Sequence, residues 1–223
     1  MIDGVVFDLD GVVVQTEEVW DAVREALVRE RGGRWHDGAQ ADMMGMSSRE
    51  WSRYMHESLG LSEPPEEINR EVVRRMAERY GSELPLIPGA VEAVERLAKR
   101  WPLGVASSSN RELIDLVLEL SGLARLFRAT VSSEEVARGK PAPDVYLEAA
   151  ARLGVDAARA AAIEDSRSGI LSARAAGMRV IAIPNRSFPP DPETLAQAGV
   201  VLASIDDLTP DVVAPPATAP ADS

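Results

Sequence analysis

Hydrophobic positions change their period along this chain, and the changes mark out its elements. Ile2–Phe7 is a short, β-branched run with almost no polar interruption, the pattern of a strand buried on both faces of a parallel sheet. From Glu17 the period becomes helical. Val19, Trp20, Val23, Leu27 and Val28 share one face of a predicted helix over Glu17–Glu30, which Gly32-Gly33 ends. Ser47 followed by Glu50 has the form of a capping box and predicts a second helix running to Leu59. Pro64-Pro65-Glu66-Glu67 opens a third, with Ile68, Val72, Val73, Met76 and Tyr80 facing inward and Gly81 as the stop.

From Pro88 onward strands and helices alternate. Helices are predicted at Gly89–Arg100, Arg111–Leu120, Pro143–Leu153 and Ser168–Ala176, and strands at Leu103–Ala106, Ala129–Val131, Ala160–Ile163 and Arg179–Ile183, with Val200–Ala203 as an edge strand. Repeated strand–helix units with right-handed crossovers make an α/β fold built on a Rossmann-like, doubly wound parallel sheet. An all-helical unit interrupts it after the first strand. The expected division is a core of residues 1–15 plus 82–208, a helical cap at 16–81, and a disordered tail at 209–223 that is rich in Pro and Ala without apolar period.

The first strand stops abruptly on charge, at Asp8-Leu9-Asp10-Gly11. In parallel sheets ligands gather at the carboxyl ends of strands, where Asp8 sits, and Gly11 permits a tight turn directly after Asp10. Two acids this close repel unless a cation joins them, and a hard divalent ion, Mg²⁺, suits such oxygen ligands. Alone, the motif is also what an ordinary acidic turn looks like. Other strand ends carry polar groups as well: Ser107-Ser108-Ser109, Lys140 in a Gly-Lys-Pro loop, and Glu164-Asp165-Ser166. Each has its own structural reading, as a helix cap or a solvated loop. Together they converge on one crevice.

Composition removes alternatives. With no cysteine and only His36 and His56, a thiolate or histidine metal centre and a serine–histidine–acid triad lack their parts, so carboxylates must move protons. A formal net charge of −12 argues against nucleic acid as partner and against long-range steering of anions. Any phosphate must be drawn by a local cation, and of 24 basic residues only Lys99 and Lys140 are lysines. No apolar run reaches the roughly 20 residues that span a bilayer, and no basic start precedes Asp3 to suggest a signal peptide. A cytoplasmic monomer with no membrane partner is expected.

Asp8-Leu9-Asp10-Gly11, Ser107, Lys140 in Gly139-Lys140-Pro141, and Glu164-Asp165 occur in an order that resembles the haloacid dehalogenase superfamily, specifically its capped phosphatases and β-phosphoglucomutase-like members. The resemblance implies a Mg²⁺-dependent phosphatase of a small phosphorylated metabolite. Asp8 would be the nucleophile that forms an aspartyl-phosphate, and Asp10 the general acid and base. Ser107, Ser108 and Lys140 would hold the phosphoryl group, with Asp8, Glu164, Asp165 and the backbone carbonyl of Asp10 around the metal. Arg49 in Gly45-Met46-Ser47-Ser48-Arg49 and Thr16 are candidate substrate contacts. A mutase is the first alternative, but Trp20 stands where a mutase would be expected to carry a histidine. A non-enzymatic phospho-acceptor domain of the receiver type is the second, and the helical insertion with an acid at Asp10 speaks against it.

Overall fold

The computed structural model describes residues 1–214. Six parallel strands form one sheet in the order β3-β2-β1-β4-β5-β6. They are β1 (Gly4–Phe7), β2 (Leu103–Ser107), β3 (Phe127–Ser132), β4 (Ala160–Glu164), β5 (Arg179–Ala182) and β6 (Val200–Val201). The order reverses its direction between β1 and β4, which opens a crevice at their carboxyl ends. Registration sets its height. Phe7 pairs with Val105 on one side and Ile163 on the other, so Asp8, Ser107 and Glu164 emerge within a residue or two of one level.

Because successive side chains alternate across a strand, the sheet buries two separate apolar layers. Val5 and Phe7 pack with α5 (Ala90–Ala98) and α6 (Arg111–Leu120), while Val6, Ala106 and Ala162 pack with α7 (Asp144–Leu153) and α8 (Arg167–Ala175). Phe7 meets Phe127 edge to face, with ring centroids 5.8 Å apart, in an arrangement that adds about 1 kcal/mol to the burial itself. Full burial of such side chains contributes roughly 1.5–3 kcal/mol apiece. That is the platform on which the polar strand ends are held.

Between β1 and α5 stand α1 (Glu17–Glu30), α2 (Ala39–Met43), α3 (Ser48–Glu57) and α4 (Pro65–Ser82). Trp51, Met55, Ile68, Val72 and Met76 are buried within this unit and join the same apolar cluster as Val5 and Phe7. Both of its ends leave the sheet side by side: Val14 bridges Leu86, and the Gln15 amide donates to the Pro85 carbonyl at 2.8 Å. The capping box forms as the spacing predicts, with Glu50 accepting from the Ser47 amide at 2.8 Å.

Three features differ from the sequence expectation. α2 is a short helix with too few apolar positions to show a period. β6 is two residues long and stops short of Ala203. The tail is ordered further than composition suggests, since Pro210–Val213 form a helical turn with Val213 fully buried. One of its carbonyls and one just before it are held from elsewhere: Arg179 Nη2 donates to Val212 O at 3.3 Å and Arg96 Nη2 to Leu208 O at 2.9 Å. The rest of the expected tail, 215–223, lies outside the described residues. No helix among the described residues is long and apolar enough to cross a membrane.

Candidate active site

Asp8 follows β1 directly and is buried. One oxygen, Oδ1, accepts from the Leu9 amide at 2.7 Å, and the other, Oδ2, lies 3.0 Å from Lys140 Nζ. The same ammonium sits 2.7 Å from Glu164 Oε1. Burial would lower the lysine's pKa, but Asp8 and Glu164 outweigh it and hold the group above its ordinary value. Lys140 is thus an obligate cation, locked between two carboxylates.

Glu164 is saturated with donors. Its Oε1 accepts from Lys140 and from the Tyr146 hydroxyl at 2.8 Å, and its Oε2 from the amides of Asp165 and Ser166 and the Ser166 hydroxyl, at 3.0–3.1 Å. Burial works against its charge, but Lys140 and these donors keep its pKa below the usual value. Asp8 and Asp165 are pushed up instead, first by burial and then by neighbouring carboxylates. For Asp165 those are Glu164, Asp8 and Glu17, against a single side-chain donor, Asn185 Nδ2 at 3.2 Å.

Carboxylate oxygens of Asp8, Glu164 and Asp165 lie within 4.8 Å of one another. An all-oxygen set with negative charge in excess of Lys140 fits a hard divalent cation. Because Glu164 is already fully bonded, the oxygens best placed to bind one belong to Asp8 and Asp165. Gly11, with φ +78°, makes this possible: a Cβ there would lie 1.8 Å from Asp165 Oδ2.

Asp10 is turned away from that cluster. Thr16 donates to its Oδ1 at 2.5 Å, while Ser109 and Ser107 donate to its Oδ2 at 2.7 and 3.2 Å. Thr16 is fully buried, orients Asp10 and lines the cleft, and the Ser107 hydroxyl donates to Asp10 and accepts from the Ser109 amide. Ser108 and Ser109 line the cleft as well. Arg49 is exposed on α3 and does not line it, because the helix turns that position outward.

The helical unit closes the cleft from above, through Trp20, Arg24, Gln40, Trp51 and the Met43–Met46 loop. Gly45 docks against α8 so tightly that a Cβ would fall 2.3 Å from Ser168 Oγ. The space left over Asp8 is about 90 Å³. Glu17 adds a further acid to its wall, pushed up to about 7 by burial, with Asp10 contributing in the same direction. Sequence reasoning missed Glu17, Arg24, Gln40 and Asn185. Arg24 had a readable signal, a charge on the apolar stripe between Trp20 and Leu27.

A family model of haloacid dehalogenase-like hydrolases matches residues 5–183. The chain belongs to that family. It is 32% identical over 219 residues to a probable pseudouridine-5'-phosphatase of Drosophila melanogaster, covering 95% of this chain and 94% of the relative. Hexitol phosphatase B of Escherichia coli K12 is 32% identical over 216 residues, covering 92% and 93%. Among solved structures, CbbY from Rhodobacter sphaeroides in complex with phosphate superposes with a TM-score of 0.83 at 25% identity, over 93% of this chain and 96% of that one. A putative β-phosphoglucomutase from Thermotoga maritima gives 0.71 at 26% identity over the same shares.

Proposed function

We propose that the protein is a Mg²⁺-dependent phosphatase of a small phosphorylated metabolite that works through an aspartyl-phosphate on Asp8. The observation that carries this reading is a division of labour between two acids two residues apart. Asp8 faces Lys140 and the carboxylate cluster, while Asp10 is held off it by the Thr16, Ser107 and Ser109 hydroxyls. One acid is placed to attack phosphorus and the other to handle protons.

An oxygen of Asp8 attacks phosphorus as the bond to the leaving oxygen breaks, and Asp10 donates a proton to that oxygen. Asp10, now ionised, takes a proton from water as it attacks the phosphoryl group, which frees Asp8 and releases inorganic phosphate. Lys140 balances the Asp8 charge, and the amides around Ser108 are donors available to the phosphoryl oxygens. A Mg²⁺ held by Asp8 and Asp165 would neutralise charge on the transferring group. Relatives named as phosphatases support this reading.

A mutase is the second reading, motivated by the likeness to a putative β-phosphoglucomutase. Trp20 opposes it, as a buried indole packed on Trp51 where a titratable ring would be needed. The test is phosphate release from a panel of sugar, polyol and nucleotide monophosphates with Mg²⁺, beside the Asp8→Asn variant. We expect release that depends on Asp8. Conversion of β-glucose 1-phosphate to glucose 6-phosphate without phosphate release would make the protein a mutase, and equal release by a folded Asp8→Asn protein would refute the covalent step.

A further inference from the structure

Arg24 is a charge without a counter-charge. It lies on α1 with only 5% of its surface exposed, in the wall of the cleft that faces Asp8. Its guanidinium carbon stacks 4.5 Å from the Trp20 ring centre and 4.8 Å from that of Trp51, so two indoles clamp it. Nη1 donates to Gln40 Oε1 at 3.3 Å, and Gln40 is itself oriented by donating to the Glu17 carbonyl, also at 3.3 Å. Nε is buried with no hydrogen-bond partner, and among the described residues no carboxylate forms an ion pair with this side chain within 4.0 Å.

Other arginines contrast with it. Arg74, Arg75, Arg111, Arg152 and Arg159 are each paired with acids at or near the surface. Burial lowers Arg24's pKa to about 9, against the pull of Asp10, Tyr80 and Asp21, and the group still stays charged at neutral pH. A buried, planar, five-donor cation that is rigidly stacked and incompletely bonded is a receptor for a bidentate anion. The phosphoryl end of a substrate is already provided for on the opposite wall, by Lys140 and the Ser108 region.

We propose that Arg24 selects the substrate by gripping a second anionic group, a carboxylate or a second phosphate, on the part of the molecule that departs when the phosphoester is cleaved. This rests on the phosphatase reading. It places the preferred substrates among phosphorylated sugar or polyol acids and bisphosphates, and gives the cap's two tryptophans the task of holding the guanidinium rigid. The bland alternative is that Arg24 only braces α1 against α3.

Three substrates that share one carbon skeleton separate these ideas: glucitol 6-phosphate with a neutral far end, 6-phosphogluconate with a carboxylate, and glucitol 1,6-bisphosphate with a phosphate. Wild type should favour one or both anionic-ended compounds in kcat/KM, and which of them wins identifies the anion. Arg24→Gln should reduce that preference by about 10- to 100-fold, chiefly through KM, as expected for losing hydrogen bonds to a charged group. Arg24→Lys, which keeps the charge but not the fork, should restore part of it. A brace alone would lower all three substrates by one factor; that result, or a wild type indifferent to the far end, overturns the proposal.

Ligand-induced thermal shifts of the Asp8→Asn protein, with and without Arg24→Gln, read the same preference without turnover. They decide the role of Arg24 even if hydrolysis of p-nitrophenyl phosphate, which tests the phosphatase reading alone, is absent. A larger shift with the anionic-ended compounds that disappears in Arg24→Gln supports it, and equal shifts refute it.

Discussion

Replacing Lys140 by methionine removes the only cation bonded to Asp8 and Glu164 and leaves the shape nearly unchanged. At 3.0 and 2.7 Å, each ion pair is worth on the order of 5 kcal/mol at an effective dielectric constant near 20. Against that loss stands the relief of the lysine's own desolvation, several kcal/mol. The difference agrees with the roughly 3–5 kcal/mol typical of breaking a buried pair by removing one partner. For a chain of this size that is a fall in Tm of roughly 6–20 °C.

The assay is urea denaturation at pH 7.5 in excess chelator, compared with wild type and with Tyr146→Phe. At that pH the lysine's contribution is fully present, because its pKa is raised on folding and the stability it brings is lost only as pH climbs past its ordinary 10.5. Tyr146→Phe takes one neutral donor from Glu164 and should cost about 1 kcal/mol, which calibrates the larger loss. Added Mg²⁺ should stabilise Lys140→Met more than wild type, since it becomes the cluster's only positive charge. A metal-free Lys140→Met protein within 1 kcal/mol of wild type by this assay would show that the ammonium does not sustain the cluster.

Three further outcomes are expected. Asp10→Asn should lower kcat by about 10²–10⁴, the usual contribution of a general acid–base group, and should leave phosphate on Asp8 detectable by intact-mass measurement after a quench. An unchanged kcat would remove Asp10 from the proton path. Phosphate release should vanish in excess chelator and return with Mg²⁺ rather than Zn²⁺, whereas full activity in chelator would contradict the metal assignment. Glu17, raised from 4.5 to about 7 on folding, destabilises the fold progressively as pH rises through that window, so Glu17→Gln should gain up to about 3 kcal/mol at pH 8 and little at pH 5. Equal gains in metal-free protein at both values would show that Glu17 is not strained by its charge.

The sheet was legible because each strand is short, apolar and stopped by polar residues, and a strand end has a fixed location in a parallel fold. The same rule led to Asp8, Glu164 and Asp165, which the structure brings within coordination reach of one another, whereas Lys140 lies in a loop eight residues past the end of β3 and reaches Asp8 and Glu164 from there. Hydrogen-bond choices were not legible. Nothing local to Ser107 says that its hydroxyl turns to Asp10, and nothing near Asp165 points to Asn185, twenty residues later on another strand end. The residues at the start of the tail illustrate the same limit. Arg179 reaches Val212 and Arg96 the carbonyl of Leu208 just before them, contacts across the fold that leave no trace in the composition of residues 209–214.

The narrow cleft favours a cap that moves. The 90 Å³ above Asp8 is small beside the ~300 Å³ at which small-molecule sites usually begin, so a shift of the helical unit would ease the entry of a substrate. Apolar packing holds that unit down, since cap and core residues share one buried cluster, and a few hydrogen bonds add to it. Across the seam, Ser48 donates to Glu134 at 2.8 Å and Asn110 to Asn69 at 3.1 Å, each bond worth about 1 kcal/mol net. The two connections at Val14 and Leu86 lie side by side and can turn together as a hinge. Opening parts some of this seam, and a substrate that fills both walls of the cleft offsets that cost on closing. Closure would also serve the proposed chemistry, because Lys140 and Asp10 would act at full strength only when bulk water is excluded. An anion gripped by Arg24 would couple the two events, since the cap would seat firmly only over a molecule long enough to reach it from Asp8.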